Sequence, residues 1–168
     1  MRGWQILPGL WQCPAFPDTA AKAGEWCEAS GVKTVVGLAP RAENPALREL
    51  ATAGMIEYMH WPIPDGKIHG PVANRLLLLA AALSRRAGVA VHCRAGRNRS
   101  GLLVALIVRE RMGLTGHAAM ALVRERRPRA LANEDFAAWL EGLAAPMALA
   151  AQPSAEAETA PAQTELFA

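Results

Sequence analysis

Short apolar runs rich in valine alternate along this chain with longer stretches that carry helix-start and helix-stop residues at their ends. WQILPGLWQC, residues 4–13, predicts two short strands around the turn pair Pro8-Gly9. KTVVGL (33–38) has the valine density of a buried strand, and MIEYMHW (55–61) and VAVH (89–92) predict two more. Helices are expected between them. One follows Asp18 as its cap and stops at Gly31; one opens on Pro45 and stops at Gly54. A third, residues 71–87, opens on Pro71 and ends in Arg85 and Arg86 before Gly88. SGLLVALIVRERM (100–112) is apolar nearly all round, which predicts a central buried helix ended by Gly113. Thr115 is expected to cap the next helix, which Pro128 breaks, and Asn133 to cap the last. Beyond Pro146 the chain is rich in alanine, proline and glutamate, so a folded domain over 1–145 and a disordered tail over 146–168 are expected.

Strands alternating with helices imply an α/β fold: a central, mostly parallel sheet of four to five strands flanked by helices. In such sheets ligands bind outside the carboxyl ends of the strands. The turn that follows VAVH lies at that edge.

At 168 residues the chain is long enough for one domain with a real core. Its longest apolar runs, LLLLAAAL (76–83) and LLVALIV (102–108), fall well short of the roughly 20 residues that span a bilayer. The N-terminus is broken by proline and glycine before any leader-like apolar segment develops, so a cytoplasmic protein without stable membrane association is expected. Three cysteines without a paired spacing exclude a disulfide framework, and four scattered histidines exclude a conventional zinc site. No metal and no cofactor is expected.

The net charge of +3 hides a strong asymmetry. Residues 88–131 carry nine arginines against Glu110 and Glu125, a local +7, whereas residues 132–168 carry six acids and no base. A basic middle implies an anionic partner. Nucleic acid is disfavoured, because RERRPR (124–129) has no interleaved aromatic residues on which bases could stack.

VHCRAGRNRSG, residues 91–101, places a thiol and three arginines on one strand-to-helix turn. A six-residue turn closing onto a helix N-terminus directs backbone N–H groups inward and forms an anion cradle. Arg94, Ala95, Gly96, Arg97 and Asn98 supply that cradle. Gly96 permits a backbone conformation that most residues resist. Arg99 can grip two phosphoryl oxygens with its planar fork. A thiol beside positive charge and a helix N-terminus ionises readily, so Cys93 is expected as a thiolate nucleophile. A leaving oxygen needs an acid. Asp65, between Pro64 and Gly66 after the neighbouring strand, is the candidate, although Pro-Asp-Gly is also a common turn.

HCRAGRNRSG resembles the H-C-x5-R-[ST]-G signature of the dual-specificity branch of the cysteine-based protein tyrosine phosphatase superfamily. PGLWQC, GVKTVVGL, MHWPIPDGK and RPRALANEDFAAWL match that family's other segments in order, so the resemblance covers about residues 4–144. It implies a phosphatase-type α/β fold and hydrolysis of phosphate monoesters through a phosphocysteine intermediate. By position Cys93 would be the nucleophile, Arg99 the phosphate binder, and Asp65 the acid and later the base. Ser100 would assist departure of the thiolate, unless it is only a helix cap. His92 would hold the loop and favour the thiolate, unless it is only a buried structural residue. The low-molecular-weight phosphatases are set aside because Asp65 precedes Cys93 by 28 positions, where they place the acid after the loop. The rhodaneses are set aside for their shorter loop.

The expected substrate is a phosphorylated tyrosine, serine or threonine in a protein. The alternative is another small phosphate ester, such as a phosphoinositide, an inositol phosphate or a phosphatidylglycerophosphate, because Arg94 and Arg97 add charge for a second anionic group. A non-catalytic phosphate-binding module is the alternative of another class.

Overall fold

Pro8 and Gly9 turn the chain between β1 (Trp4–Leu7) and β2 (Leu10–Cys13), and in the computed structural model this hairpin forms one side of a five-stranded sheet. Residues 1–40 and 43–146 are described, so the tail expected from 146 lies outside the described residues from 147 onward. The other strands are β3 (Thr34–Gly37), β4 (Glu57–His60) and β5 (Val89–His92), in the order β1-β2-β5-β3-β4. Only the β1–β2 pair is antiparallel. The expected mostly parallel α/β architecture is therefore the observed one. The register sets Cys13, His92, Gly37 and His60 side by side at the carboxyl edge. Every loop that leaves this edge can reach a ligand held at the end of β5.

Successive strand residues face opposite sides of the sheet. Val36, Val89 and Val91 point toward α3 (Gly70–Ser84), α4 (Arg99–Met112), α5 (Gly116–Arg126) and α6 (Glu134–Glu141). Val35 and Ala90 point toward α1 (Ala20–Ala29) and α2 (Pro45–Thr52). Helix α4 is the central element, with residues 102–108 fully buried on every side. That all-round burial is what its continuous apolar sequence requires. Gly113 ends it in the left-handed conformation at φ +64, and the backbone N–H of Gly113 donates to the carbonyl of Arg109. Thr115 and Asn133 cap α5 and α6 by accepting from the N–H groups of Ala118 and Phe136. Asn44, ahead of Pro45, caps α2 in the same way.

Two boundaries differ from expectation. Asp18 does not cap α1: Thr19 occupies the cap position in an extended conformation, without a side-chain bond, and Asp18 faces a cleft at the sheet edge. Helix α3 ends at Ser84, before the arginines expected in its last turn. The cause lies in Gly88, whose carbonyl accepts from the N–H groups of Lys33 and Thr34 at 2.7 and 3.0 Å. A Cβ on Gly88 would come within 2.2 Å of the Gly31 carbonyl oxygen, so two backbones meet there. The chain must leave the helix early to make that approach, and Arg86 then pairs with Glu57 across the surface.

Candidate active site

Strand β5 delivers Cys93 to the carboxyl edge, and the next five residues wrap back to the start of α4. The turn works because its carbonyls are held from outside. The N–H of Ala15 donates to the carbonyl of Arg94 at 3.3 Å, and the N–H of Leu131 to that of Arg97 at 3.2 Å. The buried Gln12 amide donates to the carbonyls of Gly96 and Arg97 at 3.1 and 3.2 Å. With the carbonyls turned outward, no backbone N–H of residues 94–98 has a partner among the described residues. Those N–H groups and the start of α4 form a concavity for an anion.

Gly96 is required for this wrap. It sits at φ +61, and a Cβ there would lie 2.7 Å from the Pro14 nitrogen and 2.8 Å from the Cys13 carbonyl carbon. Any side chain would lift the turn off the end of β2. Gly101 has a related use: a Cβ would come within 3.2 Å of the Gln12 amide nitrogen that holds the loop.

The residues singled out from the sequence meet in two pairs, Cys93 with Ser100 and Arg99 with Asp65. The Sγ of Cys93 lies 3.4 Å from the Oγ of the fully buried Ser100. Ser100 is not the helix cap, a position taken by Asn98, so its hydroxyl is left to face the thiol. The Nε of Arg99 lies 3.8 Å from Oδ2 of Asp65. That separation is an ion-pair distance but too long for a hydrogen bond. The Arg99 Nε is accordingly buried without a hydrogen-bond partner, and the guanidinium is not consumed by Asp65. Asp65 itself accepts from the Asn133 side-chain amide at 3.1 Å and is 41% exposed. Its carboxylate thus lies beside Arg99 and faces solvent.

His92 sits at the base of the loop, as expected, with its ring edge-on to Phe16 and stacked near Tyr58. Gly37 leaves room for it, since a Cβ there would come within 2.8 Å of Nε2. Burial, and secondarily His60, push the imidazole down to about 4. Burial thus favours the neutral imidazole at neutral pH. The local positive charge belongs to the arginines and the start of α4. Burial also holds the thiol of Cys13 far above the ordinary range and that of Cys27 up at about 11, so both stay protonated at neutral pH.

Arg94 and Arg97 part company. Arg94 lines a cleft of about 220 Å³ together with Phe16, Asp18, Tyr58, His60 and Cys93. Arg97 is not among the residues that line this cleft. Neither pairs with a carboxylate among the described residues, and Glu110, a conceivable partner, is taken by Arg109.

Residues 19–143 match the model of the dual specificity phosphatase catalytic domain, about three quarters of the chain. The chain belongs to the dual-specificity phosphatase family. It is thereby a cysteine-based phosphatase. The solved structure of Tk-PTP in its active form superposes with a TM-score of 0.66 at 23% identity, covering 83% of this chain and 95% of that one. Human DUSP28 gives 0.66 at 22% identity over 83% and 90%. The PTP-2 phosphatase of Cydia pomonella gives 0.67 at 23% identity over 83% and 88%. At these identities the likeness concerns the fold. Among curated proteins none matches the sequence significantly. No helix among the described residues is long and apolar enough to cross a membrane.

Three residues that shape this candidate site carry no signal in the sequence as site residues. Gln12 holds the loop from a strand that shows no motif. Asn133 was legible only as a helix cap, yet it also holds Asp65, and its backbone N–H donates to Asn98 Oδ1 at 3.2 Å. Arg127, part of an undifferentiated basic run, donates from Nε to the Gly96 carbonyl at 3.3 Å and stacks over Trp4 at 3.6 Å.

Proposed function

We propose that this phosphatase hydrolyses phosphorylated tyrosine, serine or threonine side chains through a phosphocysteine intermediate. The observation that supports the reading is that the loop from Cys93 to Arg99 sets Ser100 Oγ 3.4 Å from the thiol and brings Arg99 to 3.8 Å from Asp65. The phosphoryl group lies on the N–H groups of residues 94–98 with the Arg99 fork on two of its oxygens. The Cys93 thiolate attacks phosphorus and forms the S–P bond as the ester O–P bond breaks. Protonated Asp65 gives its proton to the departing oxygen, so the product leaves as a neutral alcohol or phenol. The Asp65 carboxylate then takes a proton from a water molecule that attacks phosphorus. The S–P bond breaks, inorganic phosphate forms, and the electron pair returns to Cys93 with a hydrogen bond from the Ser100 hydroxyl. Water and phosphate ester are the only reactants.

Turnover of p-nitrophenyl phosphate, with and without Cys93→Ser, tests the reading. The variant is expected to lose turnover while still binding vanadate, because the cradle is backbone and Arg99. Retention of more than a few per cent of activity would overturn it.

A further inference from the structure

Asp18 breaks a local rule. It stands directly ahead of α1, where a carboxylate would accept from the first helical N–H groups. Yet Thr19 holds the cap position without a side-chain bond, and Asp18 faces the cleft that Cys93 and Arg94 also line. Forgoing a cap weakens a helix, and local preferences are set aside mainly where a residue has another use. Asp18 is exposed and has no cation within ion-pair distance among the described residues.

The cleft is framed by segments that are tied together. The loop after β2 brings Phe16 and Asp18, the loop after β3 brings Glu43 and Asn44, and the end of β4 brings Tyr58 and His60. Asn44 ties all three. Its side-chain amide donates to the carbonyls of Phe16 and Pro17, each at 3.3 Å, and its backbone N–H donates to the Tyr58 hydroxyl at 3.3 Å. The N–H of Ala15 joins this frame to the catalytic loop at the Arg94 carbonyl.

His92 also lines the cleft, and it lacks a partner. Both of its ring nitrogens are buried without a hydrogen bond among the described residues, and the residue is only 6% exposed. Its Nε2 and the Tyr58 hydroxyl both approach the bare backbone of Gly37, where a Cβ would lie 2.8 and 3.1 Å from them. A neutral imidazole always has one nitrogen that accepts, and leaving it buried and unpaired is costly. A ligand that brings N–H donors into the cleft supplies that bond.

The charge on the cleft walls also changes sign. Arg94 comes from the catalytic loop, whereas Asp18 and Glu43 come from the neighbouring loops. Glu43 is already paired with Arg48 at 2.6 Å, so Asp18 is the carboxylate left for a ligand. At about 220 Å³ the cleft is smaller than the roughly 300 Å³ at which sites for drug-sized ligands begin. It has room for one side chain.

We propose that this cleft is a specificity subsite, which receives a lysine or arginine side chain flanking the phosphorylated residue of the substrate, with Asp18 as its counterion. The rings of Phe16 and Tyr58 cover the methylene stem, and the cation has donors enough for both the carboxylate and the imidazole nitrogen. The inference rests on the reading of phosphorylated protein side chains as the substrate.

The experiment measures kcat/KM for phosphotyrosine peptides of one sequence that carry Lys, Ala or Glu at each flanking position in turn. The intact enzyme should prefer Lys to Ala by about threefold to fivefold at one position, the worth of one partly exposed ion pair, and disfavour Glu there. Asp18→Asn should bring Lys and Ala level at that position, and Asp18→Lys should turn the order in favour of Glu. Neither variant should change turnover of p-nitrophenyl phosphate, which has no flanking residue. A Lys peptide no better than the Ala peptide at every position, or a preference that survives Asp18→Asn, would overturn the inference. So would a loss of p-nitrophenyl phosphate turnover as large as that of the peptides. Binding of the same peptides to Cys93→Ser, followed by fluorescence anisotropy, keeps the two readings apart. Peptides that all turn over equally well remove the subsite and leave the phosphoprotein reading standing. Lys-dependent binding that Asp18→Asn abolishes, without turnover of any peptide by the parent, removes the catalytic reading and leaves the subsite standing.

Discussion

Asn133 donates from its side-chain amide to Asp65 at 3.1 Å while its Oδ1 accepts from the Phe136 N–H at 3.2 Å. One side chain thus starts a helix and holds the candidate acid, and its backbone N–H reaches the Cys93–Arg99 loop at Asn98. The two tasks use different ends of the amide, so chemistry can separate them. Asn133→Asp keeps an oxygen for the helix cap but turns the group facing Asp65 from donor to acceptor. Its melting temperature should stay near that of the parent, while kcat falls as two carboxylates repel. Asn133→Ala should lose the cap as well, at a cost of about 1 kcal/mol in stability. Denaturant unfolding and kcat on the same samples check the split. Equal kcat for parent and Asn133→Asp would show that Asp65 needs no orientation.

Asp65 is expected to transfer a proton, and the leaving group reports it. Asp65→Asn should lower kcat by about 10²–10⁴-fold for alkyl phosphates, whose alkoxide leaves poorly without a proton. The loss should be smaller for p-nitrophenyl phosphate, whose anion is already stable. The basic limb of the pH profile should flatten in the variant. A loss of the same size for both substrates would mean that Asp65 shapes its loop and nothing more.

Much of this site was readable because its chemistry is compressed into one turn. Cys93, Arg99 and Ser100 lie within eight consecutive residues, and the local spacing alone brings them to one helix start. Asp65 was readable because its loop leaves the same sheet edge. Gln12 and Asn133 were not, since their partners lie 84 and 68 positions away and no spacing rule links such positions. Caps at Thr115 and Asn133 followed from local preference, whereas the early end of α3 is imposed by the Gly88–Gly31 contact, which is tertiary. The charge state of His92 likewise depends on burial under Gly37 and between Phe16 and Tyr58, which the motif does not encode.

That burial has a consequence for stability against pH. His92 in the folded chain is lowered to about 4 by burial and by His60, against about 6.5 in an unfolded chain. Between these values the unfolded state binds the extra proton, so stability should be full above about pH 6.5 and fall as the pH drops toward 4. Below that range both states are protonated and this contribution changes no further. The shift corresponds to at most about 3 kcal/mol. His92→Asn, compared with the parent by urea unfolding from pH 4 to 7, should show a shallower fall. Parallel curves for the two proteins would place the acid sensitivity elsewhere.

The loop is held from outside by overlapping bonds, and the overlap sets the size of the last effect. The Gly96 carbonyl accepts from both Gln12 and Arg127, and the Arg97 carbonyl from both Gln12 and the Leu131 N–H. Gln12→Met keeps the volume of the buried side chain and removes both of its bonds. Each carbonyl still retains one partner, so the cost should be about 1–2 kcal/mol rather than the larger penalty of an orphaned polar group. Arg127→Met alone should likewise leave Gly96 served by Gln12. The two changes together strip Gly96 of both donors, and the carbonyl is then free to turn inward and displace an N–H from the cradle. The double variant should therefore lose more stability than the two single losses combined, as expected for groups that share a partner. It should also lose vanadate inhibition by a larger factor than the product of the single effects. Strict additivity in both measurements would show that the loop keeps its shape without these bonds, and that the fit of Gly96 against Pro14 is what holds it.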